Sequence, residues 1–567
     1  MIDPLDVLAA TRSTEFAAAS NLKGEVAGAT WQYLLPSIDR PRVLVIGPID
    51  AATVDTLLQG GSELVLTTGR KRGSGPRLVA GRRGGSPLPS GVEKVPHGGL
   101  DDWLRARPDG SLDLVVVTGR QGPFDSVDDV LRRLLGPAGV IVREGAADPG
   151  PARSAAKGRR TVRVAVRPDR GEVRSAVGLD DEASARMLAG RRLAGPAIRL
   201  PGPRRLASVA GRFLGPRQRT LELELPADGA TLPEPPTYLA SIADAVGIDI
   251  RAYRCALSAI GDYNTQKVLF LLRAAEATSP AVVVKLTRHP SVNRRLETER
   301  DALRLLATYG DTIGDRVPRV LFSGRHAGLA VVAESAQPGV PFADRTAPGD
   351  PDAAAADALD WLTRLGVVSA RPAGAEAVAE ALRDLHARYV ALCRPTAAEA
   401  GRLEDAIERV ARSSDPFPVV LQHGDPGTWN LLVDEAGRVS FLDWENADAA
   451  GMPLWDVFYL LRSHAVGTAR RAGVRRRLAG VERYLFGASP LSDSIVRAVG
   501  GYASKLRIDP ALVEPLFHLC WMQQALKEAT RTDPAQVREG HYNRLLRLGL
   551  ERRTAPTLQR VFSGDGR

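Results

Sequence analysis

Cysteine is scarce in this 567-residue chain: Cys255, Cys393 and Cys520 are the only three, they lie far apart, and no two form a CxxC pair. That usage excludes a disulfide scaffold and fits a reducing compartment, the cytoplasm. Long apolar runs are missing too, since none approaches the about 18 residues needed to cross a bilayer. The N-terminus MIDPLDVLAATRSTEF has no basic stretch leading into an apolar one, so neither secretion nor a membrane span is expected. Aromatic residues make up only 5% of the chain. Few of them are available for base stacking in its most basic stretch, which also has no nucleic-acid motif, so nucleic acid is not an expected partner.

What is present is an ordinary globular balance, 44% hydrophobic and 25% charged, at a length that implies about two to four cores. The net charge of +10 is local. Residues 151–220 hold 17 Lys and Arg against 5 Asp and Glu, which exceeds the surplus of the whole chain. A solvated arginine-rich surface is the expected reading of that segment.

Four β-branched runs, RVLVIG (42–47), ELVLTTG (63–69), LDLVVVTG (112–119) and GVIVREG (139–145), alternate with helix-compatible pieces such as DSVDDVLRRLLG. Continuous apolar runs of this kind are typical of parallel strands buried on both faces, so a Rossmann-like sheet is expected. The pattern resembles class I methyltransferases. However, the first turn reads Gly47-Pro48-Ile49-Asp50 and the second strand ends in Thr67-Thr68. The glycine signature and the ribose-binding acid are absent, and no cofactor is expected there.

The stretch LPADGATLPEPPTYL, with Pro226, Pro233, Pro235 and Pro236, reads as a connector with a boundary near residue 230. Beyond it come strand-like YRCALSAI, QKVLFLLRAA and AVVVKLTR, and then the helix VNRRLETERDALRLLATYG, whose Leu296, Leu303 and Leu306 recur at helical spacing. Lys285 closes an aliphatic run, an awkward place for a charge unless its stem snorkels to solvent or it has a partner. Glu299, four residues before Leu303, is the candidate partner, and Glu297 is its competitor.

The segment LQHGDPGTWNLLVDEAGRVSFLDWENADAAGMPLWDVFYLL carries the chemistry. Asp425 follows His423 by two, Asn430 follows Asp425 by five, and Asp443 ends the strand RVSFLD. Hard oxygen ligands and a candidate base around one point suit magnesium and a nucleotide. These residues resemble the H-G-D-x-x-x-x-N and D-W-E/D motifs of the aminoglycoside phosphotransferase and choline kinase-like family, which shares the protein-kinase fold. The likeness spans about residues 237–560. Together with the βα alternation and the boundary near 230, an α/β plus α+β chain with three parts is expected. Residues 1–230 would form a Rossmann-like domain with its basic segment at 151–220, residues 231–345 a kinase-like small lobe, and residues 346–567 a helical lobe with the catalytic loop.

The resemblance further implies ATP (or GTP) and Mg²⁺ as cofactors, Asp425 as catalytic base with His423 beside it, and Asn430 and Asp443 as metal ligands. Lys285 would contact the phosphates with Glu299 as its ion-pair partner. The turn with Gly261 and Asn264 would cover the phosphates, and the backbone from Glu334 to Gln337 would meet the adenine. The acceptor would be a small hydroxylated molecule such as an aminoglycoside, sugar or amino alcohol, held between residues 350–415 and 513–530. Asp352, Asp357 and Asp360 are the acids available there, and solvent-facing roles are expected for them. His423 is expected to orient the loop, Asp456 to anchor it, and Trp429, Trp444 and Trp455 to be core residues. Glu445 reads equally as a ligand or as a loop acceptor. The alternative is a catalytically silent scaffold or regulatory binding protein. The N-terminal half is not needed for phosphotransfer and is expected to dock a protein partner or a large acceptor.

Overall fold

A computed structural model describes residues 30–39, 42–47, 63–68, 92–96, 99–118, 128–145, 156–169, 172–179, 181–193, 219–259, 267–343, 350–413, 416–530 and 532–564. The chain divides into two compact units. The described part of one runs from 30 to 296 and adds 320–336; that of the other comprises 297–319 and the residues from 337 on.

Among the described residues, the first unit is built on one sheet of thirteen strands. In chain order these are β1 (Arg42–Ile46), β2 (Glu63–Thr68), β3 (Val92–Pro96), β4 (Leu112–Val117), β5 (Leu135–Gly145), β6 (Arg159–Asp169), β7 (Glu172–Gly178), β8 (Arg219–Pro226), β9 (Arg254–Ser258), β10 (Lys267–Arg273), β11 (Val282–Thr287), β12 (Val320–His326) and β13 (Leu329–Ser335). Strands β3-β2-β1-β4-β5 are parallel. The expected run of parallel strands is therefore present, but β8 pairs antiparallel with the edge of β5, and the ladder continues through β6, β7 and β9 to β12. Among the described residues the sheet is therefore mixed and continuous, and the parallel strands do not stand apart as a separate sheet. The proline-punctuated stretch is built into this unit: Leu232 is fully buried, and Pro233 O accepts Cys255 N–H at 2.7 Å.

Strand alternation explains why the parallel runs are continuously apolar. Val43, Val45, Leu114, Val116, Val140 and Val142 enter one buried cluster. Their neighbours Leu44, Ile46, Val115, Val117 and Ile141 enter another, against Leu100 and Leu104 of α1 (Leu100–Ala106) and Leu131 and Leu134 of α2 (Asp128–Leu134). A third cluster places Ala185 and Leu188 of α3 (Glu182–Leu193) on Ala165, Val177, Ala256 and Leu271. Further along, α4 (Thr237–Asp244) buries Tyr238, Leu239, Ala240 and Ala243 in the first cluster.

One polar knot interrupts these cores. Glu224 of β8, 1% exposed, receives Arg132 Nε at 2.7 Å, Arg159 Nε at 3.3 Å and an Arg143 amino nitrogen at 3.4 Å. Arg143 also meets Asp128 at 3.0 Å and Arg132 meets Asp129 at 3.0 Å. Three arginines thus face three acids.

The second unit contains α5 (Asn293–Ala307) from Glu297 onward, together with α6 (Pro351–Ser369), α7 (Ala375–Cys393), α8 (Ala397–Ala411), α9 (Trp455–Arg471), α10 (Arg477–Val481), α11 (Ser492–Lys505), α12 (Val513–Ala529), α13 (His541–Glu551) and α14 (Pro556–Ser563). Local chemistry starts several of these helices. Asp350 caps α6 ahead of Pro351, and Thr396 with Glu399 forms a reciprocal capping box on α8. Six short strands, β14 (Val340–Pro341), β15 (Arg371–Ala373), β16 (Phe417–Gln422), β17 (Leu431–Val433), β18 (Val439–Phe441) and β19 (Asp448–Gly451), form two three-stranded sheets, β14-β17-β18 and β15-β16-β19. Trp361 of α6 stacks on Phe441 at 4.3 Å and donates to Ile313 O at 2.8 Å, fixing the β18 end against the helices. No helix among the described residues is long and apolar enough to cross a membrane.

Candidate active site

In the first unit, Lys285 on β11 is 8% exposed, so it does not snorkel, and its Nζ lies 2.9 Å from Glu334 Oε2 on β13. The register sets Lys285 opposite Val332 and Val283 opposite Glu334, making the pair a diagonal cross-strand contact. Sequence reading had used Glu334 only for its backbone. The turn holding Gly261 and Asn264 lies outside the described residues, as do Pro48, Ile49 and Asp50.

The remaining candidates gather in the second unit. The helical phase is resolved inward for Glu299, which is fully buried, and not for Glu297, which is partly exposed. Glu299 Oε1 accepts Trp444 N–H at 3.1 Å, directly after Asp443. Asp443 itself adopts left-handed φ 65° and ψ 65°, an uncommon conformation for a non-glycine residue that turns the chain sharply out of β18.

The loop after β16 is held from several sides. Asp456, in the first turn of α9, accepts His423 N–H at 2.6 Å and Gly424 N–H at 3.0 Å, one through each carboxylate oxygen. This is the anchoring position that its place at the helix start suggested. Gly424 sits at φ +78°, and a Cβ there would come within 2.2 Å of Asn446 O, so the middle of the motif admits only glycine. Ser463, two turns into α9, accepts Thr428 N–H at 2.9 Å. His423 is fully buried, with Nε2 2.9 Å from Leu442 O and Nδ1 accepting Asp425 N–H at 3.3 Å. Burial pushes its pKa down to about 4 although the Leu442 carbonyl pulls upward. A neutral imidazole joining two strands of the loop orients Asp425 and is a poor proton carrier at neutral pH.

Around Asp425 the hydrogen bonding is uneven. Oδ2 receives Asn430 Nδ2 at 3.3 Å and Trp429 Nε1 at 3.5 Å, and Asn430 Nδ2 also reaches Asp425 O at 2.9 Å. Oδ1 is buried and has no hydrogen-bond partner among the described residues. Burial raises the carboxyl to about 6; the Tyr459 hydroxyl offsets part of this, the Asp443 charge adds to it, and Lys527 opposes it. Lys527, near the end of α12, donates to Gly424 O at 3.3 Å. Asp456 is likewise pushed up to about 6 by burial.

Several expectations change here. Trp444 and Trp455 are core residues at 0% and 3% exposure, but Trp429 is 53% exposed beside Asp425, because its indole N–H is bound to that carboxylate and the ring faces outward. Asp352 is bound to His464 Nε2 at 2.8 Å; Asp357 accepts Val439 N–H at 2.9 Å and an Arg316 guanidinium; Asp360 is exposed. Tyr459 and Lys527 were not singled out from sequence. The lysine ending an apolar helix was the available signal for Lys527; Tyr459 had none. Among the described residues, no three His, Cys, Asp or Glu side chains are grouped to hold a metal.

Residues 261–490 match the phosphotransferase enzyme family APH. No curated protein matches the chain. Solved structures similar to it include aminoglycoside phosphotransferase APH(3'')-Id from Streptomyces rimosus in complex with ADP and streptomycin, at 19% identity, covering 52% of this chain and 98% of that one with a TM-score of 0.32. A choline/ethanolamine kinase family protein from Mesorhizobium loti is 18% identical over 55% of this chain and 92% of that one, TM-score 0.28. A glucosamine kinase is 16% identical over 53% and 93%, TM-score 0.30. Likenesses of this strength carry no argument about fold or activity.

Proposed function

We propose that the chain is a phosphotransferase that moves the γ-phosphate of ATP or GTP to a hydroxyl of a small molecule. The observation that carries this reading is the Asp425 carboxylate. It is oriented by Asn430 and Trp429 on one oxygen, left without a partner on the buried other oxygen, and pushed up to about 6, a value suited to taking a proton near neutrality. The match of residues 261–490 to a phosphotransferase family supports it.

Asp425 takes the proton of the acceptor hydroxyl as that oxygen bonds to the γ-phosphorus. The bond from phosphorus to the bridging oxygen breaks, and the nucleoside diphosphate leaves with that electron pair. By the family resemblance Lys285 would contact the phosphates with Glu299 as its partner, the turn with Gly261 and Asn264 would cover the phosphates, and the Glu334 segment would meet the base. His423 positions Asp425. The oxygens of Asn430 and Asp443, with the orphaned Asp425 Oδ1 nearby in the same loop system, fit Mg²⁺. A nucleotide-borne ion needs only one or two carboxylates because phosphates and waters complete its shell, so the lack of a three-residue cluster is compatible with it. When bound, the ion would neutralise charge on the phosphates.

The division into residues 1–230, 231–345 and 346–567, and docking of a partner by the first of these, belong to the same proposal. The test is a panel of hydroxylated compounds with labelled ATP and the full chain. Asp425→Asn should lower turnover by roughly 10²–10⁴-fold with nucleotide affinity kept. Turnover that survives the substitution removes Asp425 as the base, and a chain that binds nucleotide without any transfer is the silent scaffold.

A further inference from the structure

Arginine without a counter-ion marks one part of the second unit. Arg462 of α9 is 3% exposed, and its Nε has no hydrogen-bond partner among the described residues. One amino group meets His541 Nε2, its guanidinium carbon lies 5.0 Å from the Tyr542 ring, and it forms no ion pair among the described residues. His541 cannot be the missing anion. Burial first, then the charges of Arg462, Arg477 and Arg544, push it down to about 3, so it faces Arg462 as neutral imidazole. Arg470, on the same helix, is held below the ordinary arginine range by partial burial and by Arg477 and Arg462. The α10 helix that begins at Arg477 packs on α9, where a Cβ at Gly480 would meet Ala469 at 2.8 Å. Glu528 accepts Tyr542 N–H at 2.8 Å.

A guanidinium taken out of water with like charges around it and no carboxylate is costly, and such a group persists where an anion completes it. The cluster also adjoins the candidate base, for Tyr542 shares a 2.7 Å hydroxyl contact with Tyr459, and Tyr459 borders Asp425. We infer that the acceptor bears a fixed anionic group, phosphate or carboxylate, which Arg462 holds together with Arg470 of α9 and Arg477 of the α10 helix packed on it, while its hydroxyl reaches Asp425. The inference rests on the phosphotransfer reading. It assigns the site a substrate of opposite charge to an amine, and guanidinium forks suit planar or tetrahedral oxyanions better than any acid-lined pocket would. Exposed Trp429 beside Asp425 offers a face on which the uncharged body of such a molecule stacks.

The full chain, saturated with ADP and Mg²⁺ so that the nucleotide site is filled, is titrated with inorganic phosphate, and the labelled-ATP panel compares glucose 6-phosphate and glucuronate with glucose and glucosamine. Saturable phosphate binding is expected, weakened about tenfold or more in the Arg470→Gln/Arg477→Gln double variant, as bidentate charge-assisted contacts are lost. Both side chains are exposed, so an unchanged thermal midpoint checks its fold; Arg462→Met is the more severe variant. Anionic sugars should be the better acceptors, glucose 6-phosphate leading if phosphate is the group and glucuronate if carboxylate is. No phosphate binding, equal binding by the double variant, or a preference for glucose or glucosamine overturns the inference while leaving phosphotransfer standing. Phosphate binding that the variant loses, without transfer to any compound, instead sinks the phosphotransfer reading and keeps the anion site.

Discussion

Two arginine centres in this chain are treated in opposite ways. At Glu224 three arginines converge on one carboxylate, two neighbouring aspartates complete the balance, and all the groups come from β5, β6, β8 and α2 of one unit. At Arg462 a guanidinium withdrawn further from water has an aromatic ring and a neutral histidine for company. The Asp425 loop resembles the second case, with one carboxylate oxygen engaged and the other orphaned. A cluster that balances its own charges is a structural joint, whereas one left without that balance by its own fold is poised for something that arrives from solution.

The largest effect that would sharpen this contrast is Glu224→Gln. It removes the carboxylate shared by Arg132, Arg143 and Arg159, leaves Arg159 without an acid among the described residues, and should cost about 3–5 kcal/mol, read as lost hydrogen-exchange protection in β5, β6 and β8. A loss below about 1 kcal/mol would place the centre among weak surface pairs and break the comparison. Asp456→Asn should cost about 1.5–3 kcal/mol through weakened bonds to His423 and Gly424. Its deficit should also vary with pH. The folded carboxyl keeps its proton up to about 6, while the unfolded one releases it near its ordinary 3.8, so the folded chain binds more protons in that window. The stability this group contributes is therefore fullest below 3.8 and declines as pH rises towards 6. Denaturant curves at pH 4.5 and 7 should show the larger deficit at the lower pH, and equal deficits would mean that Asp456 titrates as if exposed. The smallest stability effect belongs to Trp429→Ala, within about 0.5 kcal/mol because the ring is exposed. The acceptor KM should nevertheless rise, and a substantial fall in Tm with an unchanged KM would return Trp429 to the core.

Much of the fold was legible residue by residue. The runs starting at 42, 63, 112 and 139 supply β1, β2, β4 and part of β5, since a strand covered on both faces favours apolar side chains. Leu296, Leu303 and Leu306 are buried at helical period, and the same phase turned Glu299 inward. What was not legible crosses long stretches of chain. Lys285 meets Glu334 through a β11–β13 register that depends on where the intervening helix returns. Trp429 reads as a core tryptophan until the loop geometry ties its indole to Asp425 and leaves the ring outside. Arg462 lies about 80 residues from His541 and Tyr542 in sequence, and only the arrival of α13 beside α9 sets the three together.

Sequence by itself determined the elements and the chemical inventory of the loop from His423 to Asp443, because hydrophobic period and short-range motif spacing act over a few residues and need no knowledge of the rest of the chain. Tertiary structure alone decided which charges are compensated. Desolvation and ion pairing depend on distances between groups far apart along the polymer, and those distances decide whether a buried arginine is part of the frame, as around Glu224, or waits for an anion, as at Arg462.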